Sequence, residues 1–103
     1  MEDPDFKVIE ALKENGSNLS KPHEIDFFFD FEKFEQAAPV AQVIEKDGFK
    51  VKMLENDDGT YTIEAKKTLI PSFNVMSEIT KNFTSLTNVH GGNYDGWGTE
   101  VVE

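Results

Sequence analysis

Three groups of residues in this sequence could support binding or catalysis. They are two histidines, a set of carboxylates and a glycine-rich final segment. His23 and His90 have no companion at metal-ligand spacing, and Asp57-Asp58-Gly59 lacks the further carboxylates of a calcium loop. The chain contains no cysteine, which excludes disulfides, thiolate ligands and cysteine nucleophiles. We therefore predict no metal ion and no cofactor.

Sequence motifs for catalysis and phosphate binding are also absent. No Gly-x-Ser-x-Gly turn is present to expose a nucleophilic serine. Gly91-Gly92-Asn93 follows a predicted helix, whereas a phosphate-binding loop precedes one. The sequence thus indicates a protein that is not an enzyme.

The segment from His90 to Val101 contains the single tryptophan, four of the seven glycines and one of the two tyrosines. Strict strand alternation divides it into two faces, one with Tyr94, Gly96 and Gly98 and the other with Asp95, Trp97, Thr99 and Val101. We expect Trp97 to pack in the core beneath the helices. Asp95 would share that face, where it would cap a helix end or accept backbone N–H groups near Gly91-Gly92.

The charge of the chain favours a basic partner. Its net charge is -10, and all ten basic residues are lysines. Direct binding to nucleic acid depends on neutralising phosphates, so we predict none. A protein partner with a basic segment fits better, although an acidic surface can also serve solubility alone. The acidic N-terminus does not resemble a signal peptide, and no apolar run could span a membrane, so we expect a cytoplasmic location without membrane contact.

Hydrophobic patterning predicts a leading helix, starting at Asp3-Pro4 and stopping at Asn15-Gly16, with Asp3 and Asp5 complementing the helix dipole. A polar connector precedes an alternating strand from His23 to Phe31. We expect one face of that strand to be buried and the other uncovered. The buried face is formed by Ile25, Phe27, Phe29 and Phe31. The uncovered face is formed by Glu24, Asp26, Phe28 and Asp30.

The remaining pattern predicts a second helix from about Glu32 to Asp47, ended by Gly48 and either kinked or restarted at Pro39. A hairpin turning at Asn56 to Gly59 follows. A last helix is expected to bury five apolar side chains, those of Phe73, Met76, Ile79, Phe83 and Leu86.

This order favours an α+β fold, the ferredoxin-like βαββαβ sandwich, with a four-stranded antiparallel sheet covered by helices on one face and an added N-terminal helix. We divide the chain into residues 1–19, the N-terminal helix and connector, and residues 20–103, the α+β domain.

The run Tyr94-Asp95-Gly96-Trp97-Gly98, preceded by His90-Gly91-Gly92, resembles the RraB family of regulators of ribonuclease E. Looser likenesses cover most of residues 20 to 101, including the first strand and Gly48-Phe49-Lys50-Val51. The resemblance implies a ferredoxin-type sandwich with an additional N-terminal helix. It also implies a non-enzymatic protein that binds the non-catalytic scaffold portion of ribonuclease E and reduces RNA cleavage.

The expected topology places the last strand beside the first, which would bring Phe28 and Tyr94 together on the uncovered face above Gly96 and Gly98. Four carboxylates would surround them, those of Glu24, Asp26, Asp30 and Glu100. An aromatic centre within carboxylates suits a lysine- or arginine-rich segment, so these six residues are the candidate partner-binding site.

Three alternatives for this face stay open. The first is an ordinary solvated sheet surface. The second is binding of single-stranded RNA, since RNA-recognition modules share this topology, although the first and third strands lack their paired aromatics and basic residues. The third is packing on a second copy as a homodimer, which the carboxylates oppose unless Lys50, Lys52 or Lys66 pairs with them.

Overall fold

A computed structural model describes residues 4–103, and Asp3, the expected cap of the first helix, lies outside them. The elements are α1 Pro4–Glu14, β1 His23–Phe31, α2 Phe34–Lys46, β2 Lys50–Glu55, β3 Tyr61–Leu69, α3 Phe73–Val89 and β4 Asn93–Thr99. None of these helices is long and apolar enough to cross a lipid bilayer.

The four strands form one sheet in the order β2-β3-β1-β4, and each neighbouring pair is antiparallel. With α2 between β1 and β2 and α3 between β3 and β4, this is the predicted ferredoxin-like arrangement, preceded by α1. The α+β class and the position of β4 beside β1 are confirmed.

Strand β1 lies at the centre of the sheet and supplies the middle of the core. Its burial alternates as predicted, with Ile25, Phe27, Phe29 and Phe31 buried beneath the helices. The ring of Phe27 meets Phe49 and Phe83 edge to face, at centroid distances of 5.5 and 5.4 Å. Such aromatic pairs each add roughly 0.5–1.5 kcal/mol to the burial of their apolar area.

Helix α2 continues through Pro39 and does not restart there. It ends at Lys46 and is capped by Asp47. Gly48 follows with a φ of +94°, the left-handed conformation expected of a glycine after a helix. The buried residues of α2 are Ala37, Val40 and Ile44.

Ser72 is the N-cap of helix α3, and its Oγ accepts a hydrogen bond from the Val75 N–H at 3.3 Å. Met76 and Phe83 are buried and Ile79 and Leu86 partly so, as predicted. The prediction for Phe73 was wrong, because its side chain is 40% exposed. Phe73 lies in the first turn of α3, where its ring meets that of Phe6 of α1.

The connector after α1 is held to β1 and to the end of the chain. His23 is fully buried, with Nε2 2.7 Å from the Ser17 hydroxyl and Nδ1 2.8 Å from the Lys21 carbonyl oxygen. The Ser17 hydroxyl also accepts from the Val102 N–H at 3.0 Å. Ile9 and Leu12 of α1 belong to the same hydrophobic cluster as β1, so α1 packs as part of one core.

Candidate functional site

A β-bulge interrupts β4 in the middle of the glycine-rich segment. Phe27 and Phe28 pair with Trp97 and Gly96, but the next residue of β1, Phe29, pairs with Tyr94. Asp95 is therefore an extra residue without a partner in β1. Gly96 adopts a φ of +106°, a conformation that favours glycine. Because the bulge breaks the alternation, Tyr94 and Trp97 both face the helices.

Tyr94 does not lie on the uncovered face, so its predicted position beside Phe28 was wrong. Its ring packs inside, 5.1 Å from Phe29 and 5.8 Å from Phe83 between centroids. The hydroxyl is buried, and the Thr80 side chain is the polar group that interacts with it. Burial raises the pKa of Tyr94, an effect that the neighbouring Thr80 hydroxyl opposes and the negative charge of Asp5 reinforces.

Trp97 is 9% exposed and packs in the core, as expected for its face. Its indole Nε1–H donates a 2.7 Å hydrogen bond to Oδ1 of Asp5. The Thr80 hydroxyl donates to the same oxygen, also at 2.7 Å. Asp5 is only 4% exposed, so it is a buried acceptor joining three elements as well as an acidic residue in the first turn of α1.

Asp95 lies outside the core, so the prediction that it faces inward and caps a helix end was wrong. It is exposed, and no hydrogen bond or ion pair to it is found in residues 4–103. The N–H groups of Gly91 and Gly92 instead bond to carbonyl oxygens of Asn88 and Thr87 at the end of α3. As the extra residue of the bulge, Asp95 is turned away from the inward-facing row.

A pocket of about 340 Å³ lies between α1, α3 and β4. It is lined by Asp5, Val8, Thr80, Thr84, Tyr94, Asp95, Gly96 and Trp97. We call it the Asp5 pocket. The sequence did not predict that Asp5 is buried beside Trp97. Its position in the first turn of a helix was already explained by the helix dipole. No group of three or more metal-ligating side chains converges anywhere in the described residues.

The uncovered face carries Glu24, Asp26, Phe28 and Asp30, as predicted for β1. Lysines share this face, because Asp26 pairs with Lys66 and Lys66 with Lys50, while Lys52 pairs with Glu64. The Lys66 ammonium lies 3.4 Å from Glu24 and 3.6 Å from Asp26. A hydrogen bond to Glu24 and the charge of Asp26 raise the pKa of Lys66.

The predicted ring of carboxylates around two aromatic side chains is therefore not formed. Phe28 is the single aromatic residue on the uncovered face of the described strands. Asp30 accepts a 3.0 Å hydrogen bond from the Thr62 hydroxyl. Glu100 is exposed one residue past the end of β4. The face has mixed charge, with lysines toward the β2 edge and carboxylates along β1.

Comparison with known proteins identifies the family of this chain. A family model described as "Regulator of ribonuclease activity B" (RraB) matches residues 2–99, from α1 to the end of β4. The chain belongs to the RraB family. It is 30% identical to the regulator of ribonuclease activity B of Pseudoalteromonas atlantica over 105 residues, which cover 94% of this chain and 87% of the relative. It is 31% identical to the protein of the same name from Aeromonas salmonicida over 108 residues, covering 93% and 88%.

The run that resembles the RraB family, Tyr94 to Gly98, contains the β-bulge of β4. Tyr94 to Trp97 form the bulge and line the Asp5 pocket, and Gly98 continues the pairing with β1. Membership of the RraB family therefore coincides with a defined structural feature at the edge of the sheet.

Proposed function

We propose that this protein binds ribonuclease E, at its non-catalytic scaffold portion, and reduces RNA cleavage without catalysing a reaction itself. The observation that carries the proposal is the family match, which spans α1 and all four strands. Both relatives are named as regulators of ribonuclease activity. The proposal implies a cytoplasmic protein.

A basic segment of the nuclease is the partner that best suits the charge of the chain. A net charge of -10 accelerates the approach of a cationic segment and repels RNA. On the uncovered face, Phe28 lies between Asp26 and Asp30 along β1, a combination that can hold lysine or arginine side chains by charge and cation–π contact. We propose Glu24, Asp26, Phe28 and Asp30 as one contact surface.

Direct binding of single-stranded RNA to the uncovered face is the less favoured alternative. RNA-recognition modules stack bases on two or three sheet aromatics, whereas this face offers Phe28 alone. Two of its lysines lie opposite carboxylates that repel phosphates, since Lys66 pairs with Asp26 and Lys52 with Glu64. Packing of this face against a second copy is a further alternative, which sedimentation of the purified protein distinguishes.

The test measures binding to the scaffold portion of ribonuclease E and inhibition of RNA cleavage by the full nuclease. We expect the wild-type chain to bind and to slow cleavage. A variant with Asp26→Asn, Phe28→Ser and Asp30→Asn should bind about tenfold more weakly, a loss of roughly 1.4 kcal/mol. The matched control, Glu45→Gln with Asp57→Asn, removes the same charge from exposed positions elsewhere and should bind as wild type does.

Failure of the wild-type chain to bind the nuclease would reject the proposed target. Equal binding by the triple variant and wild type would reject the contact surface alone. Saturable binding of labelled RNA at low salt would favour the RNA-binding alternative.

A further inference from the structure

We propose that a second copy of this chain covers the uncovered face of the sheet when the nuclease is absent, in a two-fold dimer that the basic segment of the nuclease displaces. This inference rests on the proposed function, because it adds a form of regulation to the same contact surface. A copy in the dimer and a copy on the nuclease use that surface at different times.

Two rows of residues cross the centre of the uncovered face at right angles to the strands. Taken in the order β4, β1, β3 and β2, the first row is Gly98, Asp26, Lys66 and Lys50. In the same order, the second row is Gly96, Phe28, Glu64 and Lys52. Each row begins with a glycine and ends with a lysine, so the two lateral halves of the face differ in shape and in charge.

A two-fold axis along the strands, between β1 and β3, makes this face complementary to itself. Rotation about that axis places β1 over β3 of the second copy and β4 over β2, at the same height along the strands. Asp26 of each copy then faces Lys66 of the other, and no residue of the two rows faces one of like charge. The carboxylates therefore do not oppose this homodimer.

The ion pair of Asp26 and Lys66 is open to a second pair. The Lys66 ammonium lies 3.6 Å from the Asp26 carboxylate, and the two side chains keep 46% and 41% of their surface exposed. Two such pairs in opposite orientation form a cluster of four alternating charges, in which each charge has two opposite neighbours. The dimer thus extends an interaction that a single copy already makes.

The glycines of β4 leave the space that the lysines of β2 require. Apart from the adjacent residues, no atom lies within 4 Å of where a Cβ would stand at Gly96 or Gly98. The same rotation brings Lys52 of the second copy over Gly96 and Lys50 over Gly98. Neither lysine makes an ion pair within residues 4–103. Over Gly96, the Lys52 ammonium is also beside the ring of Phe28, which favours a cation–π contact.

The size of the face predicts a weak dimer. Four strands spaced at about 4.8 Å are roughly 19 Å wide, and seven residues of β1 at about 3.4 Å each are roughly 24 Å long. Such an area lies at the low end for specific complexes, so we expect a dissociation constant in the micromolar range. The net charge of -10 adds repulsion between copies, which about 0.15 M salt largely screens. A dimer of this strength can be displaced by a basic segment.

Sedimentation velocity of the full chain, from micromolar to millimolar concentration in about 0.15 M salt, tests for the dimer. We expect a monomer–dimer equilibrium for wild type. Asp26→Lys and Lys66→Asp should each weaken it at least about tenfold, because each places like charges face to face. Asp57→Lys and Lys46→Asp make the same changes of charge at exposed positions outside the face, and they should dimerise as wild type does.

Mixing the two face variants, Asp26→Lys and Lys66→Asp, is the decisive measurement. One copy of each restores opposite charges at both contacts across the axis, so the mixture should form a heterodimer at least about tenfold tighter than either variant forms alone. Damage to the fold of either variant could not produce this rescue. A heterodimer no tighter than the variants alone would overturn the inference.

Gly98→Leu tests the space above β4. Gly98 has no positive φ and a Cβ there has room, so the variant should fold. Its side chain would occupy the place of Lys50 of the second copy, and we expect dimerisation about tenfold weaker than in wild type. Wild type that stays monomeric at millimolar concentration, or face variants and Gly98→Leu that dimerise as wild type does, would overturn the inference.

Light scattering on mixtures with the ribonuclease E scaffold portion separates this inference from the proposed function. We expect the scaffold to convert the dimer into a complex with single copies of this chain. Binding of the intact dimer would overturn the displacement and leave the proposed function standing. A dimer that does not bind the scaffold at all would reject the proposed function and leave the dimer standing.

Discussion

The indole N–H of Trp97 donates a 2.7 Å hydrogen bond to the carboxylate of Asp5, a residue 92 positions earlier in the chain. This bond joins the first helix to the last strand, and the Thr80 hydroxyl adds α3 to the same oxygen. Hydrogen bonds to a buried charged group are stronger than neutral ones, because the surrounding dielectric is low. Asp5 is therefore the polar centre of the contact between α1, α3 and β4.

Replacing Asp5 should destabilise the fold strongly. Asp5→Ala removes both hydrogen bonds and leaves the Trp97 N–H buried without a partner, so we expect the free energy of unfolding to fall by about 3 kcal/mol. Urea unfolding measures this change. Glu14→Ala, at the exposed end of the same helix, should change stability by at most about 0.5 kcal/mol. Equal unfolding midpoints for Asp5→Ala and wild type would contradict the assigned role.

Gly96 and Gly98 form a matched pair that isolates the backbone conformation of the bulge. Apart from the glycine itself and its two chain neighbours, a Cβ at either position would have no atom within 4 Å, but of the two only Gly96 has a positive φ, +106°. Gly96→Ala should therefore cost about 1–2 kcal/mol of unfolding free energy, and Gly98→Ala much less. Thermal unfolding of the two variants makes the comparison. A larger loss for Gly98→Ala would mean that the bulge does not require a left-handed residue.

Gly92 tests close packing where no unusual φ is involved. A Cβ there would lie 2.3 Å from Cε1 of Phe31 and 2.8 Å from the carbonyl oxygen of Asp30. The Phe31 ring would have to move, and Asp30 is backbone that cannot move cheaply, so Gly92→Ala should cost at least about 2 kcal/mol. Circular dichroism during heating measures the loss. A melting temperature equal to that of Gly98→Ala would contradict it.

Tyr94→Phe should change stability at neutral pH by less than about 1 kcal/mol, because it removes a buried hydroxyl whose polar neighbour, Thr80, keeps its hydrogen bond to Asp5. The raised pKa of Tyr94 stabilises the folded state fully below the ordinary tyrosine pKa of about 10. That contribution is lost as the pH rises through the raised folded-state value. Wild type should therefore lose more stability than Tyr94→Phe between about pH 8 and about pH 11. Urea unfolding at the two pH values measures this difference. An equal loss of unfolding free energy in wild type and Tyr94→Phe would contradict the raised pKa of Tyr94.

Most of the fold follows from local patterns in the sequence. The alternation of β1 correctly predicts its buried phenylalanines, since a two-residue period needs no knowledge of the neighbouring strands. The turn before Tyr61 and the glycine after α2 are likewise signalled by residues with special backbone preferences. These features depend on residues near one another in the chain.

The candidate site depends on pairing between distant parts of the chain, and there the sequence misleads. Alternation continued through Asp95 puts Tyr94 on the wrong face, because a bulge appears only when β4 is aligned with β1. The burial of Asp5 results from its contact with Trp97, which no local period encodes. The pairing of Lys66 with Glu24 and Asp26 also required the strand order and register.

The two lateral borders of the sheet are unsuited to recruiting further strands. Lys50 and Lys52 put positive charge on the β2 edge of the sheet. At the β4 edge, the bulge at Asp95 interrupts the regular spacing of backbone hydrogen-bonding groups. Ribbon-like growth, in which copies join side by side into a continuous fibre, is thus disfavoured at both ends. The sheet can therefore leave one broad face uncovered while both of its borders discourage side-by-side aggregation.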